Sequence, residues 1–151
     1  MDNIVSAFDV AVYILQKQGE MTAMKLQKLL YYCQAWSLVW DEAPVFNEEI
    51  QAWANGPVIP DIFYAHQGKF IVTKEDFPKG NAEKLNGTQR KTIDAVLDYY
   101  GNKPSQWLSD LTHMEDPWKE TRKGLSALVR SNRVISHSLI AEYYSSIPEE
   151  K

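Results

Sequence analysis

Residues 22 to 39, TAMKLQKLLYYCQAWSLV, constrain the fold more than any other stretch of the chain. Thr22 is a natural N-cap, and Met21 with Leu26 can form the hydrophobic staple beside it. Leu26, Leu29, Leu30, Cys33, Ser37 and Trp40 then fall on one helical stripe. Tyr31, Tyr32, Trp36, Leu38 and Val39 carry the apolar band around most of the circumference. A helix with so little polar surface belongs at the centre of its domain. Lys25 and Lys28, one turn apart, mark what polar side remains.

The flanking segments have to cover that helix. Upstream, Ser6 and Asp9 match a capping box with Asp in place of Glu, Val5 and Val10 supply a staple, and Gly19 is the stop signal. This predicts a helix over about 7–18, with Phe8, Ala11, Val12 and Leu15 on the buried face. Downstream, residues 41–87 turn to Pro, Gly and short apolar alternations. Phe46, Glu48, Ile50 and Ala52 line one side of an expected strand, "KFIVT" (69–73) gives another, and Pro60 opens a short helix through His66, stopped by Gly68. Residues 74–87 read as an exposed loop. Helical signals return at Thr88 and stop at Gly101. Ser105 opens a short helix with Trp107, Leu108 and Leu111 inward, and Asp116 and Pro117 look like a cap and first helical residue. A last helix, about 137–147, is capped by Ser136, with an Ile135–Ile140 staple and Tyr143, Tyr144 and Ile147 on its packing side. The tail PEEK is expected to fray. The expected fold is mainly α: a compact single-domain bundle of about six to seven helices with a small β-hairpin insertion near residues 46–73.

A chain of 151 residues, 44% hydrophobic and 24% charged, has the composition of a globular unit, monomeric or a small homo-oligomer. Its one cysteine, Cys33, excludes an internal disulfide. No leader-like start and no apolar run near 18 residues is present, so the expected setting is the cytoplasm, without membrane insertion. Net charge is −4, and residues 1–60 carry three basic against seven acidic side chains. A broad attraction for phosphate backbones is not supported. A small basic island, Lys119, Arg122, Lys123, Arg130 and Arg133, reads as a solvated helix face and loop, with an acidic partner surface or nucleic acid as the alternatives.

Catalytic machinery finds little footing. Cys33 sits in the apolar stripe, where a thiolate is disfavoured. His66, His113 and His137 lack metal-ligand spacing, and His113 reads as a backbone partner near the helix start at Asp116. The seven glycines form no phosphate-cradling array. Neither a cofactor nor a metal is expected. The 7–18 and 22–39 pair could form a helix-turn-helix, but a recognition helix needs several polar side chains for base edges and phosphates. This one offers only Lys25, Gln27 and Lys28. What stands out is aromatic content: five Trp, eight Tyr and five Phe. Trp and Tyr anchor interfaces, and Trp53, Tyr64 and Trp118 lie where helical burial is not forced.

Three blocks, MTAMKLQKLLYYCQAW (21–36), EEIQAWANGPVIPDIFY (48–64) and LTHMEDPWKETR (111–122), resemble in order and spacing the signatures of the Panacea domain, also called the SocA-like or GepA-like phage-associated family. The resemblance implies a mostly helical domain of bacteria and prophages, the antitoxin half of toxin-antitoxin pairs, binding its cognate toxin directly. Some relatives add a DNA-binding domain; here the first helix begins within ten residues of Met1, so self-repression is not expected. The alternative is a prophage-encoded DNA-binding regulator using the first two helices. Residues that match the blocks are Lys25, Leu26, Lys28, Leu29, Tyr31 and Tyr32 in the first, Ala52, Trp53, Gly56, Pro57 and Val58 in the second, and Thr112, His113, Pro117 and Trp118 in the third. Together with Tyr64 they are the candidate partner-binding or motif positions. Gly56 before Pro57 is held in extended or turn geometry, making a rigid corner that either closes the core or faces a partner.

Overall fold

Capping chemistry places the first helices. In α1 (Ala7–Gln18) the Ser6 hydroxyl accepts from the Asp9 amide while the Asp9 carboxylate accepts from the Ser6 amide, and Gly19, at φ +81°, ends the helix. The Thr22 hydroxyl accepts from the Lys25 amide at 3.0 Å and opens α2 (Ala23–Trp40). The computed structural model describes residues 4–147; the PEEK tail lies outside them. Between the two helices runs a two-residue strand, β1 (Met21–Thr22). Then follow β2 (Gln51–Trp53), β3 (Gly56–Val58), α3 (Pro60–His66), β4 (Ile71–Val72), two 3₁₀ turns (Lys74–Asp76, Ala82–Lys84), α4 (Gly87–Tyr100), α5 (Ser105–Met114), α6 (Asp116–Thr121) and α7 (His137–Ser145).

The fold is mainly α, as expected, and α2 is its axis. α1, α4, α5, α7 and β3 all pack against it. Leu26, Leu29, Leu30, Tyr32 and Cys33 have no exposed surface, and each such leucine contributes about 1.5–3 kcal/mol by leaving water. The expected polar side is narrower than its charges suggested. Lys25 is half-buried, but Lys28 is 1% exposed and belongs to the interior.

Two glutamines let this apolar helix organise irregular backbone. Gln34 accepts from the Val45 amide and donates to the Phe46 carbonyl, both at 2.8 Å. Gln27 accepts from the Ile59 amide at 2.8 Å and donates to its carbonyl at 3.3 Å. Each buried carboxamide pairs with backbone as a neighbouring strand would, so segments without regular structure are satisfied.

The small sheets lie within and beside the expected insertion. β2 and β3 form a hairpin in the register Gln51↔Val58, Ala52↔Pro57, Trp53↔Gly56. The expected 46–52 strand is irregular until Gln51. β4 pairs instead with β1, Met21↔Val72 and Thr22↔Ile71.

Other differences share one cause, contacts distant in sequence. Residues 74–87 are not an exposed loop: Phe77, Ala82 and Leu85 are buried. The Asp9 carboxylate, beyond its capping role, accepts from the Asn81 amide at 2.7 Å. Gly80 lies so close to α1 that a Cβ would come within 2.3 Å of the Phe8 carbonyl oxygen. Trp107, expected inward, is 38% exposed with Lys103 Nζ over its ring at 4.8 Å. Glu115, not Asp116, occupies the cap position of α6.

Candidate partner-binding face

The hairpin is seated on α2 by a buried lysine. Lys28 Nζ donates to the Pro57 carbonyl at 3.3 Å, with no carboxylate paired to it among the described residues. Burial lowers its pKa from 10.5 to about 8. Gly56 makes room for it. At φ +121° this residue is in the region that favours glycine, and a Cβ there would stand 2.8 Å from Lys28 Cε and 3.3 Å from Thr112 Oγ1. Thr112, itself buried, donates to the Ser109 carbonyl at 2.7 Å. Pro57 and Val58 complete the strand and are buried. The corner therefore closes the core with its inner side.

Its outer side is tied to α6. Trp118 Nε1 donates to the Trp53 carbonyl at 2.7 Å, and the His113 ring lies 4.3 Å from the Trp118 ring. Among the described residues no hydrogen bond joins His113 to the backbone at the start of α6; the Asn55 backbone lies beside its ring, and its Nε2 is buried without a partner. Burial, reinforced by nearby Lys28, holds its pKa below the ordinary value. A neutral ring tolerates that position better than an imidazolium would. Pro117 is buried beneath the helix start.

Tyr31 and Tyr32 point away from this corner into a sealed cluster. The hydroxyls of Tyr32 and Tyr144 both donate to Glu115 Oε1, at 2.7 and 2.6 Å, and the Tyr144 hydroxyl lies 3.0 Å from that of Tyr31. Tyr32 also stacks on Tyr100 at 4.1 Å. Burial raises the pKa of Glu115, while the two tyrosine donors oppose the shift. The tyrosines are raised by burial, with the Glu115 charge adding to the effect. These motif residues are core.

An open surface lies where the hairpin, α3 and the segment before α7 meet, in a cleft of about 860 Å³. Trp53 and Tyr64 line it together with Phe63, whose ring stands T-shaped to Trp53 at 5.0 Å. Tyr64 is 67% exposed. The facing wall is residues 130–132. That wall is held by Arg122, only 4% exposed, whose guanidinium donates to the carbonyls of Ala52 at 3.1 Å, Ser126 at 2.9 Å and Val129 at 2.6 Å. Arg133 donates to the carbonyls of Thr121 and Lys123. The Ala52 amide donates to the Arg133 carbonyl, and the Ile135 amide to that of Ile50. The basic island is thus not a solvated face throughout. Arg122 and Arg133 are fasteners, while Lys119, Lys123 and Arg130 are exposed.

Of the candidates, Trp53 and Tyr64 line this cleft and Trp118 braces Trp53 through its backbone, whereas Lys28, Tyr31, Tyr32, Gly56, Pro57, Val58, Thr112, His113 and Pro117 lie behind it. Lys25, half-buried at the start of α2, has its pKa lowered by burial. Sequence reasoning passed over Phe63, Gln67, Asn132 and the separate roles of Arg122 and Arg130; the one available signal was Arg122 at the end of the third block. α2 cannot act as a recognition helix. Gln27 and Lys28 are buried in the interior, and the surrounding helices occupy the space a groove would need. Cys33 is buried, which pushes its thiol pKa well up, and no cluster of three His, Cys, Asp or Glu that could hold a metal ion occurs among the described residues. No described helix is long and apolar enough to cross a membrane.

A protein-family model described as "Antitoxin SocA-like, Panacea domain" matches residues 26–119. No curated protein and no solved structure matches the chain.

Proposed function

Because this chain belongs to the antitoxin SocA-like, Panacea domain family, we propose that it is the antitoxin of a toxin-antitoxin pair, neutralising a toxin encoded by a neighbouring gene through direct protein–protein binding. It acts in the cytoplasm, by covering the toxin's active site or substrate surface and not by making or breaking bonds. The observation that carries this reading is the contrast between a closely fastened scaffold and an open aromatic cleft. Trp53, Phe63 and Tyr64 there present ring surface to solvent, the kind of side chain that anchors interfaces. The most perturbed titratable groups, Lys28, Tyr31, Tyr32, Cys33, Tyr100 and Tyr144, are buried where a substrate could not reach them.

Co-expression with the neighbouring gene tests the proposal. The expected result is growth arrest by that gene alone, rescue when this chain is present, and co-purification of the two products. A harmful neighbour that is neither rescued nor retained rules the proposal out.

A further inference from the structure

The cleft carries a chemical signature. Its lining includes one charged side chain, Arg130, and no acid. Arg130 has no ion-pair partner among the described residues, unlike Arg122 and Arg133, whose guanidiniums are spent on backbone carbonyls. Asn132 on the same wall, and Asn55 and Gln67 on the facing one, have side-chain amides that make no hydrogen bond within the chain among the described residues. Opposite stand the rings of Trp53, Phe63 and Tyr64. The walls are prearranged, since the Arg122 fastening and the 133–135 backbone bonds fix one and the hairpin with α3 fixes the other. Prearrangement reduces the ordering cost of binding.

We propose that this cleft seats an acidic segment of the toxin, which sets a carboxylate against Arg130 and an apolar side chain against Trp53, Phe63 and Tyr64. The inference rests on the antitoxin reading and specifies its partner chemistry. A free guanidinium in a cleft with unpaired amides on both walls suits a carboxylate on a peptide, because Arg pairs with carboxylate through two parallel N–H donors. A polyanion is a poorer match. Nucleic acid binding draws on many phosphate contacts, whereas the cleft offers a single cation on a chain of net charge −4.

The test uses the full chain and two kinds of probe. In the first, fluorescence anisotropy compares a short labelled peptide of alternating Glu and Leu, its Lys-for-Glu counterpart, and a single-stranded oligonucleotide of similar length. The acidic peptide is expected to bind, with affinity falling as salt rises, and Arg130→Glu to weaken it about tenfold or more at an unchanged melting temperature. Equal binding of the acidic and basic peptides, no binding of the acidic peptide, indifference to Arg130→Glu, or preference for the oligonucleotide overturns the assignment. In the second, the neighbouring gene product is co-purified with wild type, Arg130→Glu and Tyr64→Ala. Its equal retention by all three removes the cleft as the toxin's seat and leaves the antitoxin reading standing. Failure of wild type to retain it counts against the antitoxin reading, while the peptide titration still decides the chemistry of the cleft.

Discussion

Two aromatic regions of this molecule are built from similar residues and do opposite things. Around α2, Tyr31, Tyr32, Tyr100 and Tyr144 are packed ring to ring, and three of the four hydroxyls converge on one another and on Glu115. On the far side of the hairpin, Trp53, Phe63 and Tyr64 also touch ring to ring, but they edge an open cleft in which the amides of Asn55, Gln67 and Asn132 and the Arg130 cation have no partner within the chain among the described residues, although Gln51 there is paired with Glu49 and Trp53. Satisfaction separates them. Where each polar group has a mate the cluster specifies the fold, and where mates are missing it invites one from outside. The family match ends at residue 119, so the wall carrying Arg130 and Asn132 lies beyond it. The matched stretch thus supplies most of the central helix and one side of the cleft, while the second side, α1 and α7 come from residues outside it.

The contrast predicts that interior substitutions lower stability while those at the cleft spare it. The largest effect is expected at the fastener between them. Arg122→Met strands several carbonyls and should cost about 3 kcal/mol, read by urea denaturation, with the 124–134 segment losing hydrogen-exchange protection. An unchanged midpoint would break the claim that this side chain holds the wall. Lys28 comes next. Burial sets its pKa at about 8 against an ordinary 10.5, so on unfolding it takes up a proton between those values. Its contribution is therefore present at high pH and lost as pH falls through about 8. Stability should rise across pH 8–10 by roughly 2–3 kcal/mol. The Cys33 thiol, raised by burial from 9.0, opposes the trend at the top of that range. Lys28→Met should flatten the rise, and the difference between the two curves isolates the lysine. Tyr144→Phe removes one of two donors to Glu115 and should cost about 1–2 kcal/mol by the same measurement. The smallest stability effect belongs to Tyr64→Ala and Arg130→Glu, within about 0.5 kcal/mol, with partner binding lost. Substantial unfolding by either would erase the distinction between the two regions.

Helix ends were legible because capping is local. The pairs Ser6 with Asp9, Thr22 with the Lys25 amide, and Ser136 with the Leu139 amide need only neighbours, and all form. α4 was read as starting at Thr88, while its capping box is Asn86 with Gln89, a motif equally local and passed over. Burial of charge was not legible. Lys28 enters the interior because a hairpin from 29 residues downstream crosses over it and offers the Pro57 carbonyl, and periodicity along one helix carries no trace of that crossing. The cleft was half legible. Trp53 and Tyr64 stand out by composition, but Arg130 was one of five basic residues until the carbonyls claimed by Arg122 and Arg133 separated it from them.

The isolated bridge between Gln51 and Val134, with the two backbone bonds beside it, sets a timetable for the nascent chain. Until residues 133–144 leave the ribosome, the outer rim of the Gln51–Trp53 strand has nothing alongside it, and Tyr31 and Tyr32 still wait for Tyr144. A growing chain thus carries both an uncovered strand rim and a bare aromatic surface, the features that draw chains into aggregates. Maturation closes both at once, because the segment that sheathes the rim leads directly into the helix that seals the tyrosines.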